Sequence, residues 1–365
     1  GSFSSIGQTG IAVTASQIAS GQPWNASQVA FSPSYLSGIS CPSSTVCVAS
    51  GNDGIAPIVE WSTNSGSSWT AQSLGLSATA ASAVSCSSTT SCVVVGNTRS
   101  LLPDGNVNIV GAAFTTADGG TTWNLGALPA KVTDLKGVAC PSATTCFAVG
   151  YYEADLFSGS GTPQGVIVMT SDGGATWSTV YSDETAFPAQ KTLGFKAMSC
   201  GSAATCVALG TSTAGQSITV ATSTGGANWI YSNTSVDAVS CISAMVCYGA
   251  APSGNVAIGY QPRFFTSDDS GQSWSNEKLL SGTITKVNAL SCTAVDVCDL
   301  LGTFQPGTLP YQPSAYYSWT PGTSPNSTIG STQFAANAMA SVGPRSWLSV
   351  GEPASGVAGI QITGP

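Results

Sequence analysis

The 365-residue chain is long enough for two domains, and only 7% of its residues are charged, against roughly 25% in an average globular protein. Its net charge of −8 repels phosphate backbones, and its lack of histidine removes Ser–His and Cys–His nucleophiles and every imidazole metal ligand. No apolar run reaches the ~20 residues of a membrane-spanning helix, so the composition predicts neither nucleic-acid partners nor a transmembrane segment.

The first segment of the chain, residues 1–16, is mostly small and polar, and we expect a leader or an arm that contacts a neighbouring molecule. After it, Ser20–Trp24 reads SGQPW and is nearly identical to Ser270–Trp274, which reads SGQSW. Because the later copy precedes a strand of a repeated unit, we predict a strand at residues 24–32. We therefore expect the folded domain to cover residues 17–365.

Six cysteine pairs, each with five intervening residues, recur along the chain: Cys41/Cys47, Cys86/Cys92, Cys140/Cys146, Cys200/Cys206, Cys241/Cys247 and Cys292/Cys298. A short strand precedes each pair, turn-forming residues separate the cysteines and an apolar strand follows, which predicts a hairpin with a disulfide across it. Zinc is the competing interpretation, but this spacing without histidine provides too few ligands. Paired cysteines indicate an oxidising compartment, so we expect an extracellular or cell-surface protein.

A second motif lies between successive cysteine pairs. Three copies agree closely, two carry Asn64 or Thr224 in place of aspartate, and one is degenerate: Thr116–Trp123, Thr170–Trp177, Ser267–Trp274, the copies ending at Trp69 and Trp229, and Ser318–Pro325. The motif resembles the Asp-box, S-x-D-x-G-x-T-W, of the sialidase-like and photosystem-assembly-factor-like propellers. The resemblance covers nearly the whole chain.

The resemblance implies that each box is the turn between the third and fourth strands of an antiparallel blade. It also implies that the aspartate accepts hydrogen bonds from the turn, that the glycine has a positive φ and that the tryptophan packs between blades. The expected fold is therefore all-β, a single seven-bladed β-propeller of four-stranded blades, in a secreted variant with a disulfide in six of them.

The C-terminal sequence continues the repeat without cysteines. Trp347–Gly351 (WLSVG) matches the second strand of earlier blades, such as Cys92–Gly96 (CVVVG), and Ser341 takes the place of the first cysteine. Residues 357–363 are the predicted third strand, and the sequence ends before a fourth. We expect the N-terminal strand at residues 24–32 to complete blade seven, which closes the ring and removes exposed sheet edges.

The strand order predicts two different loop faces. The turns with disulfides and boxes lie on one face, which we call the disulfide face; we expect its repeated short turns to leave no room for a unique pocket. The longer loops lie on the opposite, variable face, where function is usually found. The predicted ligand-binding residues on the variable face are Tyr151, Tyr152, Glu153, Asp155, Arg99, Asp104, Lys136, Lys196 and Arg263.

The position of three charged residues within the repeat predicts a channel. Lys136, Lys196 and Asp237 each stand four residues before a first cysteine, so they should start inner strands near the variable face. Aromatic residues beside carboxylates and amides suit sugar rings; the alternative is that these are solvated loop residues. We favour a non-catalytic binding or scaffold propeller whose ligand is a glycan or an extracellular protein.

Enzymatic function is the alternative. Sialidases hold the substrate carboxylate with three arginines. This chain has only Arg99, Arg263 and Arg345, and Arg345 falls in a predicted hairpin on the disulfide face. The Arg-Ile-Pro segment of that family is also absent. Another glycoside hydrolase needs two carboxylates roughly 5–9.5 Å apart. The candidates are Glu153 or Asp155 facing Asp183 or Glu184. No D-x-D-x-D-G calcium loop is present, and we expect neither metal nor cofactor.

Overall fold

The structure is a computed structural model. It describes residues 11–13, 26–28, 35–52, 56–74, 78–101, 107–153, 163–183, 192–232, 234–255, 259–279, 284–295, 297–303, 314–319, 326–328, 334–343 and 346–353. All the elements in these ranges are β-strands, so the all-β prediction is confirmed. In the same ranges, no helix combines the length and apolar character needed to cross a membrane.

The strands form six four-stranded antiparallel sheets, blades one to six, and two pairs at the ends of the chain. The N-terminal pair is β1 (Ile11–Val13) and β2 (Ala26–Gln28). Blades one to three contain β3 (Tyr35–Ser40), β4 (Cys47–Asn52), β5 (Pro57–Ser62) and β6 (Thr70–Ser73); β7 (Ala78–Cys86), β8 (Cys92–Leu101), β9 (Val107–Thr116) and β10 (Asn124–Leu125); and β11 (Val132–Ala139), β12 (Cys146–Glu153), β13 (Pro163–Thr170) and β14 (Ser178–Ser182).

The later sheets have the same order. Blades four to six contain β15 (Thr192–Cys200), β16 (Cys206–Ser212), β17 (Ser217–Thr222) and β18 (Ile230–Ser232); β19 (Ala238–Cys241), β20 (Cys247–Asn255), β21 (Gly259–Ser267) and β22 (Ser275–Leu279); and β23 (Lys286–Ala294), β24 (Val297–Thr303), β25 (Ser314–Trp319) and β26 (Asn326–Thr328). The C-terminal pair is β27 (Phe334–Gly343) and β28 (Ser346–Pro353).

The first strand of each blade is its inner strand. Each inner strand contacts the inner strand of the next blade, and β27 contacts both β23 and β3. The Asn337 amide on β27 donates a hydrogen bond to the carbonyl of Leu36 on β3 at 3.1 Å. The six inner strands and β27 line one shared cavity, which makes it a central channel.

The hydrophobic core lies in the seams between adjacent blades. Val95 of blade two packs in one cluster with Leu135 and Val168 of blade three. Leu348 of the C-terminal pair packs in the same way with Leu36 of blade one. The second strands are buried on both faces and therefore read as continuous apolar runs, as a sheet covered on both sides requires. Each blade is thus stabilised by its two neighbours.

The box turns hold their aspartates through short hydrogen bonds. In blade two, Asp118 accepts hydrogen bonds from the Thr116 hydroxyl at 2.8 Å and the Thr122 N–H at 2.9 Å. Gly119 and Gly120 have φ of 72° and 80°, a left-handed conformation that glycine adopts without steric cost. Blade three repeats this geometry.

All six predicted disulfides are formed within their hairpins, leaving no free cysteine among the described residues. The box turn is bonded to the disulfide turn of the same blade: in blade two, Gly119 N–H donates to the Thr90 carbonyl at 3.0 Å. Four other blades repeat this bond, from Ser65 to Thr45, Gly173 to Thr144, Gly225 to Ala204 and Ser270 to Met245. The disulfide face is therefore a set of cross-linked turns.

The two cysteines of each pair flank the same turn but differ in burial. The second cysteine is buried in the core in every blade that has a disulfide: Cys47, Cys92, Cys146, Cys206, Cys247 and Cys298. The first cysteine is only half-buried: Cys41, Cys86, Cys140, Cys200, Cys241 and Cys292. The second strand explains the difference, because its residues are covered by both neighbouring blades. Each disulfide therefore joins the turn to the core.

Blade six departs slightly from the other five blades at this point. In blades one to five the second strand begins at the second cysteine, whereas β24 begins at Val297, one residue before Cys298. Ala294 pairs with Val297 beyond the Cys292–Cys298 pair, so the ladder continues past the disulfide into the turn. Cys298 is 1% exposed and packs with Leu290 and Leu300. Its predicted disulfide is confirmed.

Both ends of the chain contribute a strand pair in or beside the segments predicted to form the seventh blade. Ser341 pairs with Trp347 in the C-terminal pair, as the two cysteines pair in blade two. The predicted third strand at residues 357–363 lies outside the described residues. β2 falls within the predicted strand at residues 24–32, and β1 falls within the predicted leader and contacts β28. Within the described ranges, the N-terminal and C-terminal pairs remain two separate hydrogen-bonded sheets.

Candidate functional site

A ring of polar residues lines the central channel. Each blade provides one residue at the same position, four residues before the first cysteine in blades one to six; it lies on the inner strand or, in blade five, directly before it. This polar ring consists of Ser37, Ser82, Lys136, Lys196, Asp237, Asn288 and, on β27, Asn337. The cavity that it lines has a volume of about 260 Å³.

A β-bulge presents most of these side chains. On β3, Leu36 pairs with Gly51 and Gly38 pairs with Ser50, so Ser37 is an extra residue between consecutive pairs. The same register shift occurs at Ser82, Lys136, Lys196, Asn288 and Asn337. A bulged residue leaves the strand ladder, and its side chain is directed away from the regular alternation. The bulges therefore account for a ring of polar groups on otherwise apolar strands.

Small residues follow the bulges because the inner strands approach one another closely. A Cβ on Gly38 would lie 2.9 Å from the Ala83 Cα, and one on Gly137 would lie 3.0 Å from the Ala197 Cα. The sequence signal is therefore a polar residue four positions before the first cysteine, followed directly by glycine or alanine. Only the three charged members of the ring were predicted from this position.

Blade three provides an ion pair beside a tyrosine. Lys136 Nζ lies 2.5 Å from Asp134 Oδ2 and 6.0 Å from the centroid of the Tyr151 ring. The Tyr151 hydroxyl donates to the same carboxylate oxygen at 3.4 Å. The Asp134 side chain is only 4% exposed, whereas that of Lys136 is 40% exposed. The lysine therefore presents its ammonium group to solvent above a buried carboxylate.

Blades four and five provide a second ion pair. Lys196 Nζ lies 3.0 Å from Asp237 Oδ1, and the Ser217 hydroxyl donates to the same oxygen at 2.7 Å. This pair joins two neighbouring members of the ring. Together with Lys136 and Asp134, it makes the half of the ring on blades three to five charged; we call this half the charged arc.

The remaining half of the ring is neutral, and we call it the neutral arc. The Ser37 hydroxyl donates to the Ala81 carbonyl at 2.6 Å, and the Asn288 amide donates to the Thr303 hydroxyl at 2.9 Å. The channel thus offers hydroxyl and amide groups on one side and two ion pairs on the other. The described residues contain no cluster of acids and cysteines that could hold a metal ion.

The structure brings only some of the predicted binding residues together. Lys136 and Lys196 line the channel, and Tyr151 packs beside Lys136. Arg99 lies on β8 opposite Ile109, and Arg263 lies 5.4 Å from the Phe265 ring; neither lines the channel cavity in the described part of the chain. Asp104, Asp155 and Glu184 lie outside the described residues, and only the backbone of Glu153 is described.

Tyr152 is part of the core rather than of a surface. It is 6% exposed, and its hydroxyl donates to the Gln164 side chain at 2.7 Å. Stacking on a sugar ring requires an open aromatic face. The expectation that Tyr152 provides a stacking surface is therefore corrected by its burial between blades.

Asp183 is a structural residue in the interior. It is fully buried, and its carboxylate accepts hydrogen bonds from Gly165 N–H at 2.9 Å, the Thr192 N–H at 2.9 Å, the Thr192 hydroxyl at 2.8 Å and the Tyr181 hydroxyl at 3.2 Å. Burial, and then the adjacent Asp183 charge, raise the pKa of Tyr181 well above its usual range. Asp183 ties the connection into blade four to blade three, which leaves its carboxylate inaccessible to a substrate.

The disulfide face contains a cavity of about 500 Å³ between blades two and three. The expectation that its repeated turns leave no room for a pocket is wrong. The turns repeat, but the side chains that fill the seams between them differ from blade to blade.

The fold and the polar channel define a β-propeller. No protein-family model and no curated protein matches the chain. Among solved structures it is similar to YCF48 bound to D1 peptide, with 15% identity, 93% of this chain and 95% of that chain covered and a TM-score of 0.59.

Two GH74 enzymes are also similar. The xyloglucanase from Xanthomonas campestris matches with 11% identity over 91% of this chain and 54% of that chain, at a TM-score of 0.60. The enzyme from Niastella koreensis matches with 13% identity over 87% and 51%, at a TM-score of 0.51. The chain spans about half the length of these enzymes. At such identities the likeness is one of fold.

Proposed function

We propose that this protein is an extracellular, non-catalytic β-propeller that binds a polar segment of a partner protein at the channel mouth. The polar ring is the observation that carries the proposal. Its charged arc offers two ammonium groups and its neutral arc offers amides and hydroxyls. A polypeptide segment, with backbone amides and charged side chains, matches this combination.

Two further observations support a secreted binding protein. Six disulfides are stable in an oxidising compartment, which favours an extracellular location. The structure of YCF48 contains a bound peptide, and this chain and YCF48 cover nearly the whole of each other. A glycan is the second ligand class, because its hydroxyls could also use the neutral arc, but the burial of Tyr152 removes one predicted stacking residue.

The glycoside hydrolase alternative has a narrower basis. The likeness to GH74 enzymes is one of fold alone. Asp183, one of the candidate carboxylates, is held by four internal hydrogen bonds. The alternative therefore depends on Glu153, Asp155 and Glu184. It predicts hydrolysis of a polysaccharide such as xyloglucan that is abolished by Glu153→Gln.

We also propose that β1 and β2 complete a seventh blade in the order β27-β28-β1-β2. The contact between β1 and β28 and the pairing of β1 with β2 support this order. The box turns, with the geometry that blades two and three share, support membership of the Asp-box class of propellers.

The test is affinity capture with the immobilised protein from the extracellular proteins of the organism that makes it, quantified by mass spectrometry. The ring variant Lys136→Gln/Lys196→Gln keeps a hydrogen-bond donor beside Asp134. It should capture roughly tenfold less of the specific partner than the native protein does. The control Lys131→Asn changes an exposed lysine with a φ of 75°, which asparagine tolerates, and should retain the partner.

Equal capture by the ring variant would overturn the channel as the site. Binding on a glycan array that is lost in the ring variant would replace the protein partner by a glycan. Xyloglucan hydrolysis that is lost in Glu153→Gln would replace the binding function by the enzymatic one.

A further inference from the structure

The cavity of about 500 Å³ on the disulfide face lies in the seam between blades two and three. Val93 and Leu125 of blade two form one side, and the Cys140–Cys146 hairpin and Gly173 of blade three form the other. The volume is within the range of small-ligand pockets, roughly 300–1,000 Å³. It is independent of the polar ring, which lines the channel.

Residue size distinguishes this seam from the next one, between blades three and four. Val93 pairs with Thr115 in blade two, and the equivalent pair in blade three is Phe147 with Met169. Phe147 is fully buried and reaches within 3.3 Å of a Cβ built on Gly226 of blade four, so it fills the next seam. Valine and threonine are too short to fill the same space between blades two and three.

The walls of the cavity are preformed. Ala127 N–H donates to the Ala175 carbonyl at 2.8 Å, and Trp177 N–H donates to the Ala127 carbonyl at 2.9 Å. These bonds join the end of the outer strand of blade two to the box turn of blade three. The Cys140–Cys146 disulfide holds the hairpin of blade three that lines the same wall as this box turn. Binding to rigid walls avoids the cost of ordering a loop.

Two of the polar side chains on the walls, Thr115 and Asp172, are already engaged in hydrogen bonds. The Thr115 hydroxyl donates to the Gly173 carbonyl at 2.7 Å, and the Asp172 carboxylate accepts from the Thr176 N–H and hydroxyl. Leu125, by contrast, is 56% exposed. The surface that remains for an occupant is therefore mainly apolar and includes the side chains of Val93, Leu125 and the alanines together with the disulfide.

The charge at the rim is negative. Asp172 lines the cavity, and no lysine or arginine is among the lining residues that the structure describes. The whole chain has a net charge of −8. An apolar group with a neighbouring cation therefore complements this site.

We infer that this seam is a second binding site, which takes an aromatic side chain flanked by lysine or arginine in a partner protein. An aromatic ring suits the volume and apolar walls, and a flanking cation suits the Asp172 carboxylate. With the channel mouth on the variable face, the propeller would hold two partners on opposite sides. The inference goes beyond the proposed function and stands on different residues.

The test uses the capped tripeptide Lys-Trp-Lys as the probe and NMR chemical-shift titration of the isotope-labelled protein. We expect saturable shifts at residues lining the seam, with the capped peptide Glu-Trp-Glu binding at least about tenfold more weakly, a difference of ~1.4 kcal/mol. Absence of saturable shifts, or equal binding of the two peptides, would overturn the inference.

Two variants locate the site. Val93→Phe/Thr115→Met fills the seam with the side chains that blade three uses. Leu125→Ala removes an exposed side chain from the wall without disturbing the core. Both variants should bind the Lys-Trp-Lys peptide about tenfold more weakly. The matched control is Ile230→Ala, which removes an exposed apolar residue from the outer strand of blade four. Unchanged binding by Leu125→Ala would contradict the site.

The ring variant Lys136→Gln/Lys196→Gln separates the two sites. It should bind the Lys-Trp-Lys peptide as the native protein does. If the ring variant no longer binds the peptide but Leu125→Ala still does, the peptide binds in the channel and the second site is removed. The proposed function would still stand.

Discussion

Asn64 in blade one takes the place of the aspartate found in the box turns of blades two and three. It accepts the same hydrogen bonds, from the Ser62 hydroxyl at 3.0 Å and the Ser68 N–H at 2.9 Å. The turn therefore needs an acceptor oxygen rather than a charge. Where the acceptor is a carboxylate, the hydrogen bonds favour its charged form: those from Thr122 lower the pKa of Asp118 to about 2.

This difference predicts a pH effect for Asp118→Asn/Asp172→Asn. The hydroxyl and N–H of Thr176 also lower the pKa of Asp172. A carboxylate with a lower pKa in the folded state contributes stability above its unfolded pKa near 3.8, and loses it as the pH falls. The urea midpoint of the native protein should fall from pH 4 to pH 2, and that of the variant should fall less. Parallel curves would contradict the prediction.

Asp183 gives a second prediction at this scale. Asp183→Ala leaves the donors of Gly165, Thr192 and Tyr181 buried without an acceptor, and we expect the free energy of unfolding to fall by roughly 3–5 kcal/mol. Urea denaturation measures it. The control Asp237→Ala removes a half-exposed ion pair and should cost less than about 1 kcal/mol. A stable Asp183→Ala variant would contradict the structural role.

At the scale of elements, the hairpins could be predicted because both cysteines of each pair lie in one short segment. The polar ring could be predicted only in part: the bulge at Ser37 breaks the alternation of β3, so alternation does not show where that side chain lies. Asp183 and Tyr152 stand in predicted loops, and their burial depends on contacts with Thr192 and Gln164, which no local pattern indicates.

The disulfide turn of blade three gives a third prediction. Cys140→Ala/Cys146→Ala removes a link that closes a short loop, which should cost about 2 kcal/mol in the chain-entropy model. The hairpin itself should persist, because Thr144 still accepts the Gly173 N–H and Thr145 N–H still bonds to the Ser142 hydroxyl. Urea denaturation and circular dichroism check both statements. A loss of strand signal would contradict them.

At the scale of the whole molecule, the repeat predicts the number of inner strands, but it predicts only one of the two N-terminal strands. Asn337 and Leu36 are 301 residues apart and are joined by one hydrogen bond. The similarity of Ser20–Trp24 to Ser270–Trp274 pointed to the N-terminal strand β2. It did not point to β1, because Ile11–Val13 has no counterpart in the repeat.

Truncation tests the proposed seventh blade. Deleting residues 1–33 removes β1 and β2 and should cost several kcal/mol, because β28 loses the strand that contacts it. Deleting residues 1–10 keeps both strands and should leave the thermal midpoint unchanged. Equal midpoints for the two truncated proteins would contradict the order β27-β28-β1-β2.

The central claim is that the channel mouth holds the partner protein, and lysine footprinting tests it most directly. Acetylation rates of Lys136, Lys196 and Lys131 are measured by mass spectrometry in the free protein and in its complex with the captured partner. The side chains of Lys136 and Lys196 are 40% and 43% exposed, so both react in the free protein. We predict that the partner slows Lys136 and Lys196 roughly tenfold, as expected at the core of an interface, and leaves Lys131 unchanged. Unchanged rates at Lys136 and Lys196 in the complex would contradict the claim.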